Sequence, residues 1–156
     1  MTSDEAEPRD HSARVVVRRM EPGDEARVAA AGGLFDAPPD TEWTRGFLAE
    51  PTHHLLIGYL DDEPAGFVSA VEMTHPDKGT EMFLYELGVA AEWRRHGVAK
   101  ALLEALVLLA RDRGSYGMWV LTDDGNEAAV ATYRSSGAER EGSHAMFEWT
   151  LGPSEQ

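Results

Sequence analysis

The sequence predicts an α+β fold, an α/β sandwich in which a mixed central β-sheet carries helices on its faces. Apolar, β-branched runs alternate with amphipathic helical patterns along the chain. Their order is strand, helices, three strands, helix, strand, helix, strand, which is typical of a sheet covered by helices. Neither an internal repeat nor a second block of composition is visible in the 156 residues, so one domain is expected.

The first half of the chain supplies a strand, two helices and a hairpin. The run Val15–Val17 is β-branched, and Glu21–Asp24 after it provides a turn and a helix N-cap. The acidic turn Asp61–Pro64 separates two apolar runs at hairpin spacing. We therefore predict strands over 14–20, 54–60 and 65–73, and helices over 25–31 and 43–49. The irregular, Pro-containing residues around the second helix are a candidate lining for a substrate cleft.

The second half contains the main helix of the predicted fold. Apolar residues recur at helical spacing after Gly97, and Gly114 follows as a stop signal. A shorter helical pattern ends at Gly137. We predict strands over 82–89, 116–122 and 143–151, and helices over 97–113 and 127–135.

The two ends of the sequence differ in composition from the predicted domain. Residues 1–13 are acidic and polar with almost no large apolar side chains, which predicts a disordered tail. The domain is expected over 14–152, with 153–156 as a short tail. No signal-peptide pattern is present and no apolar run reaches the roughly 18 residues of a membrane span, so we expect a cytoplasmic protein without a membrane partner.

Charge and cysteine content restrict the possible functions. With 28 Asp and Glu against 14 Lys and Arg, the formal charge is −14. Such a chain repels nucleic acids and anionic membranes and attracts cations, so a small polycationic substrate fits, although many acidic proteins share this balance. The sequence has no cysteine, which excludes disulfides, thiolate metal sites and a cysteine acyl-enzyme.

Several common site patterns are missing from the sequence. The six His residues show no His-Glu-x-x-His spacing, and His53 and His54 would point to opposite faces of a strand, so no metal site is expected. His144 fits an ordinary surface position. Neither a Walker motif nor Gly-x-Gly-x-x-Gly occurs, so the phosphate loops of ATP-binding and dinucleotide-binding proteins are not predicted.

A phosphate cradle is predicted where strand 82–89 leads into the main helix. The connection is basic and contains Gly97, and it ends at a helix N-terminus with unpaired N–H groups and the positive end of the helix dipole. This pattern favours the anion of a nucleotide-bearing cofactor, although a basic turn before a helix is also found as a plain solvated cap. The cradle residues are Arg94, Arg95, His96, Gly97, Val98, Ala99 and Lys100.

The pattern Arg94-x-x-Gly97-x-Ala99 resembles the acetyl-CoA signature of the GCN5-related N-acetyltransferases, and the order of elements over 14–151 is similar to that family's fold. The resemblance implies acetyl-CoA as cosubstrate, bound also along Leu87, Gly88 and Val89. It is extended by Asn126 and Tyr133, seven residues apart on the next helix. In that family the Asn bonds the pantetheine arm and the Tyr lies beside the cofactor sulfur, so Tyr133 is the candidate general acid. Alternatively, Tyr133 packs between helix and sheet with its hydroxyl at the rim.

Glu86 is the candidate general base. It lies in the apolar run from Phe83 to Val89, where burying a carboxylate is costly. A partly buried carboxylate, acting directly or through a water, can take the proton that an attacking ammonium must lose. The alternative is a strand Glu that faces solvent or pairs with an Arg.

Within the wider family, Tyr85–Val89 resembles a strand of the aminoglycoside 3-N-acetyltransferases of the gentamicin and fortimicin class, and Ala129–Tyr133 and Met146–Glu148 continue the likeness. This resemblance implies acetylation of a 3-amino group in a ternary complex, antibiotic resistance and a homodimer. Glu86 stands where that class has Asp, and Asn126 stands where it has an acidic residue.

Three further carboxylates are predicted near the cleft as binding groups for a cationic substrate: Asp123 and Asp124 after strand 116–122, and Glu148 on the last strand. Asp123 and Asp124 also suit a turn and helix cap. Three alternatives stay open: an acetyltransferase for another small amine, a polyamine or a protein N-terminus; a CoA-binding module without catalysis; and an acidic scaffold that binds cations.

Overall fold

The computed structural model describes residues 14–153, so the predicted N-terminal tail and the last three residues lie outside the described residues. Nine helices and strands form the described part. The strands are β1 Val16–Arg19, β2 His53–Leu60, β3 Glu63–His75, β4 Gly79–Val89 and β5 Met118–Val120, and the helices are α1 Glu25–Ala30, α2 Thr41–Ala49, α3 Val98–Asp112 and α4 Glu127–Ser135. Two single 3₁₀ turns, Gly32–Leu34 and Ala91–Trp93, lie between them.

The sheet is mixed, which confirms the predicted fold class. Its five strands lie in the order β1-β2-β3-β4-β5. The first four are antiparallel neighbours, and β5 runs parallel to β4. A parallel pair needs a crossover, and α3 provides it.

The helices cover the two faces of the sheet and define two core clusters. The α3 cluster contains Val68, Leu84, Leu102 and Leu106, all at most 1% exposed. The second cluster, centred on Ile57 and Phe67, lies under α1 and α2. Both faces of β2 and β3 are therefore buried.

Gly66 on β3 allows α3 to lie directly on the sheet. A Cβ at this position would be 2.8 Å from the Gly88 carbonyl oxygen and 2.8 Å from Cγ1 of Val98. Neither distance is compatible with a side chain in a close-packed interior. Because Gly66 has no side chain, the first turn of α3 can approach β3 and β4 closely.

The β2–β3 hairpin has the predicted turn, and β3 and β4 are longer than predicted. Asp61 and Asp62 both have positive φ, 49° and 63°, as a type I′ turn requires. Residues 74–80, which lie between the predicted strands 65–73 and 82–89, are mostly strand as well, because the β3–β4 ladder continues to the pair His75 and Gly79. Cross-strand pairing, including a 2.8 Å hydrogen bond between the Thr74 and Thr80 hydroxyls, outweighs the polar composition of this segment.

The predicted last strand is wrong as far as the described residues show. Residues 143–151 form no strand in residues 14–153, and their large apolar side chains are exposed. A strand needs a ladder partner, and β5, predicted over 116–122, has three residues. Apolar residues recur at every second position of this segment, but no strand of residues 14–153 pairs with it.

A polar network lies under the C-terminal end of α3, where the sequence predicted only ordinary strand residues. Nδ1 of His54, a residue 1% exposed, is 3.0 Å from a guanidinium nitrogen of Arg19, and Nε2 is 2.8 Å from a Glu72 oxygen. Arg113 donates to the same carboxylate at 3.1 and 3.2 Å. Because arginine only donates, Nδ1 accepts and the neutral ring donates from Nε2 to Glu72.

The network changes the acidity of both titratable members. Burial lowers the pKa of His54 below its usual 6.5, and the charges of Arg19 and Arg113 act in the same direction against the Glu72 hydrogen bond. Burial alone would raise the pKa of Glu72, but hydrogen bonds from Arg113 and His54 bring it below its usual 4.5. The folded state therefore favours a neutral imidazole and a carboxylate.

We expect the free energy of unfolding to fall as pH drops from 7.5 to 5.5. The unfolded chain takes up a proton at His54 near pH 6.5, whereas the folded chain does not until its lower pKa is reached. Further loss is expected as pH falls through the lowered pKa of Glu72. Urea midpoints at pH 7.5 and 5.5 measure the effect.

His54→Gln should reduce that pH dependence, while His75→Gln, at an exposed His, should keep it. An equal slope in the wild type and His54→Gln would show that His54 does not titrate as the structure indicates.

Candidate functional site

The sheet opens between β4 and β5. The ladder between them ends at the pair Leu84 and Val120. Beyond that pair, β4 continues to Val89 with β3 on one side, and within residues 14–153 no strand pairs with its other side. The free side of residues 85–89 forms one wall of an opening, which we call the β4 gap.

Two backbone amides of β4 face this gap. At the end of the strand, Ala90 N donates to Ala65 O of β3 at 2.9 Å. Hydrogen bonds in an antiparallel ladder alternate along each strand. The peptide groups of Gly88 therefore also face β3, whereas those of Leu87 and Val89 face the gap. An open edge of this kind can bind an extended chain by strand-like hydrogen bonds.

A β-bulge at Tyr85 decides which side chains enter the site. Ala70 of β3 pairs with Leu84, but its neighbour Ser69 pairs with Glu86, so Tyr85 is the additional residue. A shift of one residue reverses the faces of a strand. Leu84 packs into the α3 cluster, and after the bulge it is Leu87 and Val89 that pack there.

Glu86 consequently lies on the opposite face, the side of α1 and α2. Gly88, which shares this face, packs against the Phe67 ring of the second core cluster. The Glu86 side chain is partly buried. Burial raises its pKa above the usual 4.5, and the nearby negative charge of Asp36 raises it further. Among the described residues no cation pairs with Glu86, so its carboxylate is a stronger base than a solvated one.

The predicted phosphate cradle lies at the end of the gap, at the start of α3. Arg95 and Gly97 have positive φ, 64° and 79°, which turns the chain sharply before Val98. Gly97 O accepts from Ala101 N at 3.0 Å, and in the described part of the chain the amides of residues 95–100 have no acceptor. These free N–H groups at a helix N-terminus fit a bound anion.

The side chains of the cradle divide into two kinds. Four are exposed and polar: Arg94, Arg95, His96 and Lys100. Val98 is 2% exposed and belongs to the core, so this residue offers only its amide. The His96 ring donates from Nδ1 to Arg94 O at 2.8 Å, which holds the turn. A shallow groove lined by Arg14, His96, Lys100 and Glu104 runs along the start of α3.

Helix α4 has the predicted bounds and carries the other two candidates. Asn126 Oδ1 accepts from Ala129 N at 3.1 Å as a helix cap, and its amide nitrogen is left to donate elsewhere. Tyr133 is partly buried against the α3 cluster, as Leu87 and Val89 are. Burial raises the pKa of its phenol, so the hydroxyl is protonated at neutral pH. No hydrogen-bond partner of this hydroxyl occurs between residues 14 and 153.

The three predicted substrate carboxylates are not brought together. Asp123 and Asp124 lie exposed in the turn before α4, where Asp123 O accepts from Asn126 N at 3.0 Å and Asp124 pairs with Arg140. Glu148 lies in the exposed C-terminal segment and forms no ion pair within residues 14–153. Asp36, which the sequence reasoning did not select, is the carboxylate that acts on Glu86. It falls in the irregular segment predicted to line a cleft.

Neither a metal centre nor a membrane-spanning helix is found among residues 14–153. Among residues 14–153, no group of three or more His, Asp or Glu side chains is arranged to hold a metal ion. The helices within the same range are all too short or too polar to span a membrane.

Comparison with protein families gives one match that covers most of the chain. Residues 23–138 match the model described as "Acetyltransferase (GNAT) family". Human N-acetyltransferase 8 is 28% identical over 107 residues, covering 68% of this chain and 47% of that protein. A mycothiol acetyltransferase from Salinispora arenicola is 31% identical over 146 residues, covering 86% and 48%. The chain thus spans about half the length of these relatives.

Solved structures share the fold. An aminoglycoside acetyltransferase from an uncultured soil metagenomic sample, in complex with sisomicin, superposes with a TM-score of 0.81 at 20% identity over 88% of this chain and 97% of that one. A second soil enzyme of this description gives 0.74 at 26% identity over 88% and 99%. An aminoglycoside 6′-N-acetyltransferase from Acinetobacter baumannii gives 0.71 at 16% identity over 89% and 100%.

The geometry predicts that Asp36→Asn lowers the pKa of Glu86. Removing the Asp36 charge removes the smaller of the two causes of the raised pKa, so the value should stay above 4.5 because burial remains. Carbon-detected NMR titration of the glutamate carboxyl groups measures it. Asp40→Asn, at the cap of α2, is the matched control and should leave the Glu86 titration in place. Equal effects of the two variants would contradict the assigned proximity.

Proposed function

The chain belongs to the acetyltransferase (GNAT) family, and on that premise we propose that it transfers the acetyl group of acetyl-CoA to an amine by direct attack in a ternary complex. The observation that carries the proposal is the β4 gap. The free amides of the cradle lie at one end of this gap, and Glu86 and Tyr133 lie on opposite faces of β4.

The described residues fit acetyl-CoA in two places. The amides of residues 95–100 and the exposed Arg94, Arg95 and Lys100 suit the pyrophosphate, since charged donors and helix N-terminal amides bind it together. The gap-facing peptide groups of Leu87 and Val89 suit the amide-containing pantetheine arm, to which the side-chain nitrogen of Asn126 would donate. When bound, acetyl-CoA supplies an acetyl thioester as the electrophile.

Glu86 is proposed as the general base. An amine substrate is protonated at neutral pH and must lose a proton before or during attack. Because burial and Asp36 raise the pKa of Glu86, its carboxylate is a stronger proton acceptor than a solvated one. It accepts the proton directly or through a water.

Tyr133 is proposed as the general acid, and Val89 as the donor to the carbonyl oxygen. The phenol is protonated at neutral pH and its hydroxyl has no other partner in the described chain, so it can give its proton to the leaving thiolate. The gap-facing amide of Val89 can stabilise the negative charge that develops on the thioester oxygen. The attacking nitrogen loses two protons in all: the first goes to Glu86, and the second replaces the proton that Tyr133 gives to the thiolate. The reaction therefore closes with an amide, a thiol, a neutral Tyr133 and a protonated Glu86.

For the substrate, we propose a polycationic amine, with the 3-amino group of an aminoglycoside as the specific case. Three features support it: the net charge of −14, the acidic groups Glu86, Asp36 and Asp123 near the gap and α4, and the likeness of Tyr85–Val89 to the gentamicin class. Acetylation removes one positive charge from such a drug, so antibiotic resistance is part of this proposal.

A second candidate is the reaction that the name mycothiol acetyltransferase indicates, acetylation of a mycothiol precursor. One of them is 31% identical over 86% of this chain, which is more of the chain than human N-acetyltransferase 8 covers. The two candidates share the cofactor and the proposed acid and base, and they differ in the amine alone.

A substrate panel tests the proposal. We expect thiol release from acetyl-CoA with gentamicin, and parallel assays contain spermidine, a peptide amine and the unacetylated precursor of mycothiol. NMR of the product locates the modified amine. Turnover with the precursor alone would favour the second candidate. Binding of acetyl-CoA without turnover on any of the four would leave a non-catalytic module as the better description.

The two proposed catalytic residues give a sharper prediction. Tyr133→Phe and Glu86→Gln should each lower kcat by on the order of 10²-fold, because each removes one proton transfer. In the wild type, kcat/KM should fall on the acidic side as Glu86 is protonated, and Glu86→Gln should lose that limb. Tyr116→Phe, at an exposed tyrosine that bonds Glu81, is the control. Near-normal rates in both variants would exclude this acid and base assignment.

A further inference from the structure

Three aromatic side chains form a continuous surface beside the opening of the β4 gap. Phe83 of β4 pairs with Trp119 of β5, and the centroids of their rings are 4.3 Å apart. The Tyr85 ring lies edge-on to the Phe83 ring, with the centroids 6.1 Å apart. Tyr85 is 69% exposed and Trp119 is 37% exposed. We call Phe83, Tyr85 and Trp119 the aromatic floor.

The aromatic floor lies on the same face of the sheet as Glu86. Met82 and Leu84, on either side of Phe83, pack into the α3 cluster. Because side chains alternate along a strand, Phe83 points to the opposite face, the side of α1 and α2. Trp119 pairs with Phe83 across the ladder and shares this face. A ligand that meets Glu86 from this side therefore also meets aromatic rings.

The β-bulge shortens the distance between the aromatic floor and the candidate base. Phe83 pairs with Val71 of β3, and Glu86 pairs with Ser69. Since Val71 and Ser69 are alternate residues of β3, their partners on β4 lie about 7 Å apart along the sheet. Asp36 lies close enough for its charge to act on the Glu86 carboxyl group. Aromatic rings and two carboxylates thus adjoin on one surface.

Helix α2 covers the other end of the row of residues to which the aromatic floor belongs. The row crosses the sheet through the successive pairs of His53, Val71, Phe83 and Trp119. At its β2 end, the Phe47 ring of α2 lies 5.3 Å from the His53 ring. At its β5 end, aromatic surface stays exposed to solvent. Such a surface at the margin of a core is typical of a binding site.

On the premise of the proposed function, we infer that the aromatic floor determines which amine is accepted, by holding a saturated ring that carries the reacting amine and at least one further ammonium group. The rings of Tyr85 and Trp119 attract an ammonium group and pack against the C–H groups of the bound ring. Glu86 and Asp36 beside them attract the same positive charges. A flexible polyamine has the charges but no ring to pack, and it loses more conformational freedom on binding.

Calorimetric titration of the full chain with gentamicin in the presence of CoA tests the inference without turnover. Gentamicin should bind more tightly than spermidine. Tyr85→Leu/Trp119→Leu should weaken gentamicin binding on the order of tenfold and remove most of that difference, because leucine is apolar but has no aromatic face. The matched control Tyr85→Phe/Trp119→Phe keeps both rings and should stay within about threefold of the wild type. Unchanged CoA affinity shows that both variants are folded.

The indole N–H resonance of Trp119, identified by its loss in Trp119→Phe, shows where the drug binds. It should shift when gentamicin is added at constant protein concentration. A shift without thiol release from acetyl-CoA would support the aromatic floor and reject the proposed function.

The opposite outcomes are equally distinct. Turnover of gentamicin without a shift at Trp119, or with equal affinities in the two double variants, would overturn the inference and leave the proposed function in place. A resonance that moves with protein concentration alone would mean that a second copy covers the aromatic floor, which also overturns the inference. Absence of both binding and turnover would reject the inference and the proposed function together.

Discussion

The separation of β4 from β5 beyond Leu84 and Val120 is the constraint on which the candidate site depends. A continuous ladder would pair every peptide group of β4 and leave no room for a ligand. Because the ladder stops there, no strand of residues 14–153 pairs with the gap-facing peptide groups of Leu87 and Val89. Helix α3 begins shortly after β4 ends, so the cradle lies at one end of the gap. Helix α4 follows β5 and carries Asn126 and Tyr133.

The β-bulge at Tyr85 determines which side chains of β4 lie on each face of the sheet beside the β4 gap. One additional residue turns Leu87 and Val89 into the α3 cluster and Glu86 toward Asp36. A regular strand would direct the carboxylate at α3, where an unpaired charge is costly. The acid and base candidates are therefore on opposite faces of the sheet because of a local irregularity in pairing, and burial raises the pKa of each.

Much of the fold could be predicted from periodicity, turns and caps. Helix α4 has the predicted bounds, and the turn at Asp61 and Asp62 has the backbone that its composition indicated. Helix α3 begins directly after Gly97, close to its predicted start. What sequence reasoning missed depends on contacts between distant residues: the bulge at Tyr85, the effect of Asp36 on Glu86, and the network of His54 with Arg19, Glu72 and Arg113. Residues 143–151 show the same limit, because their pattern predicts a strand but cannot say which edge pairs with it.

Gly66 has a consequence for how the molecule can change. Since it lets α3 rest on β3 within van der Waals contact, the cradle and the edge of β4 belong to one rigid block that is already shaped before any ligand arrives, and little conformational entropy is lost on binding. Asp36, by contrast, is an exposed residue in the irregular connection between α1 and α2. If the proposed function holds, substitutions there would change the part of the site that meets the amine and leave the cradle as it is.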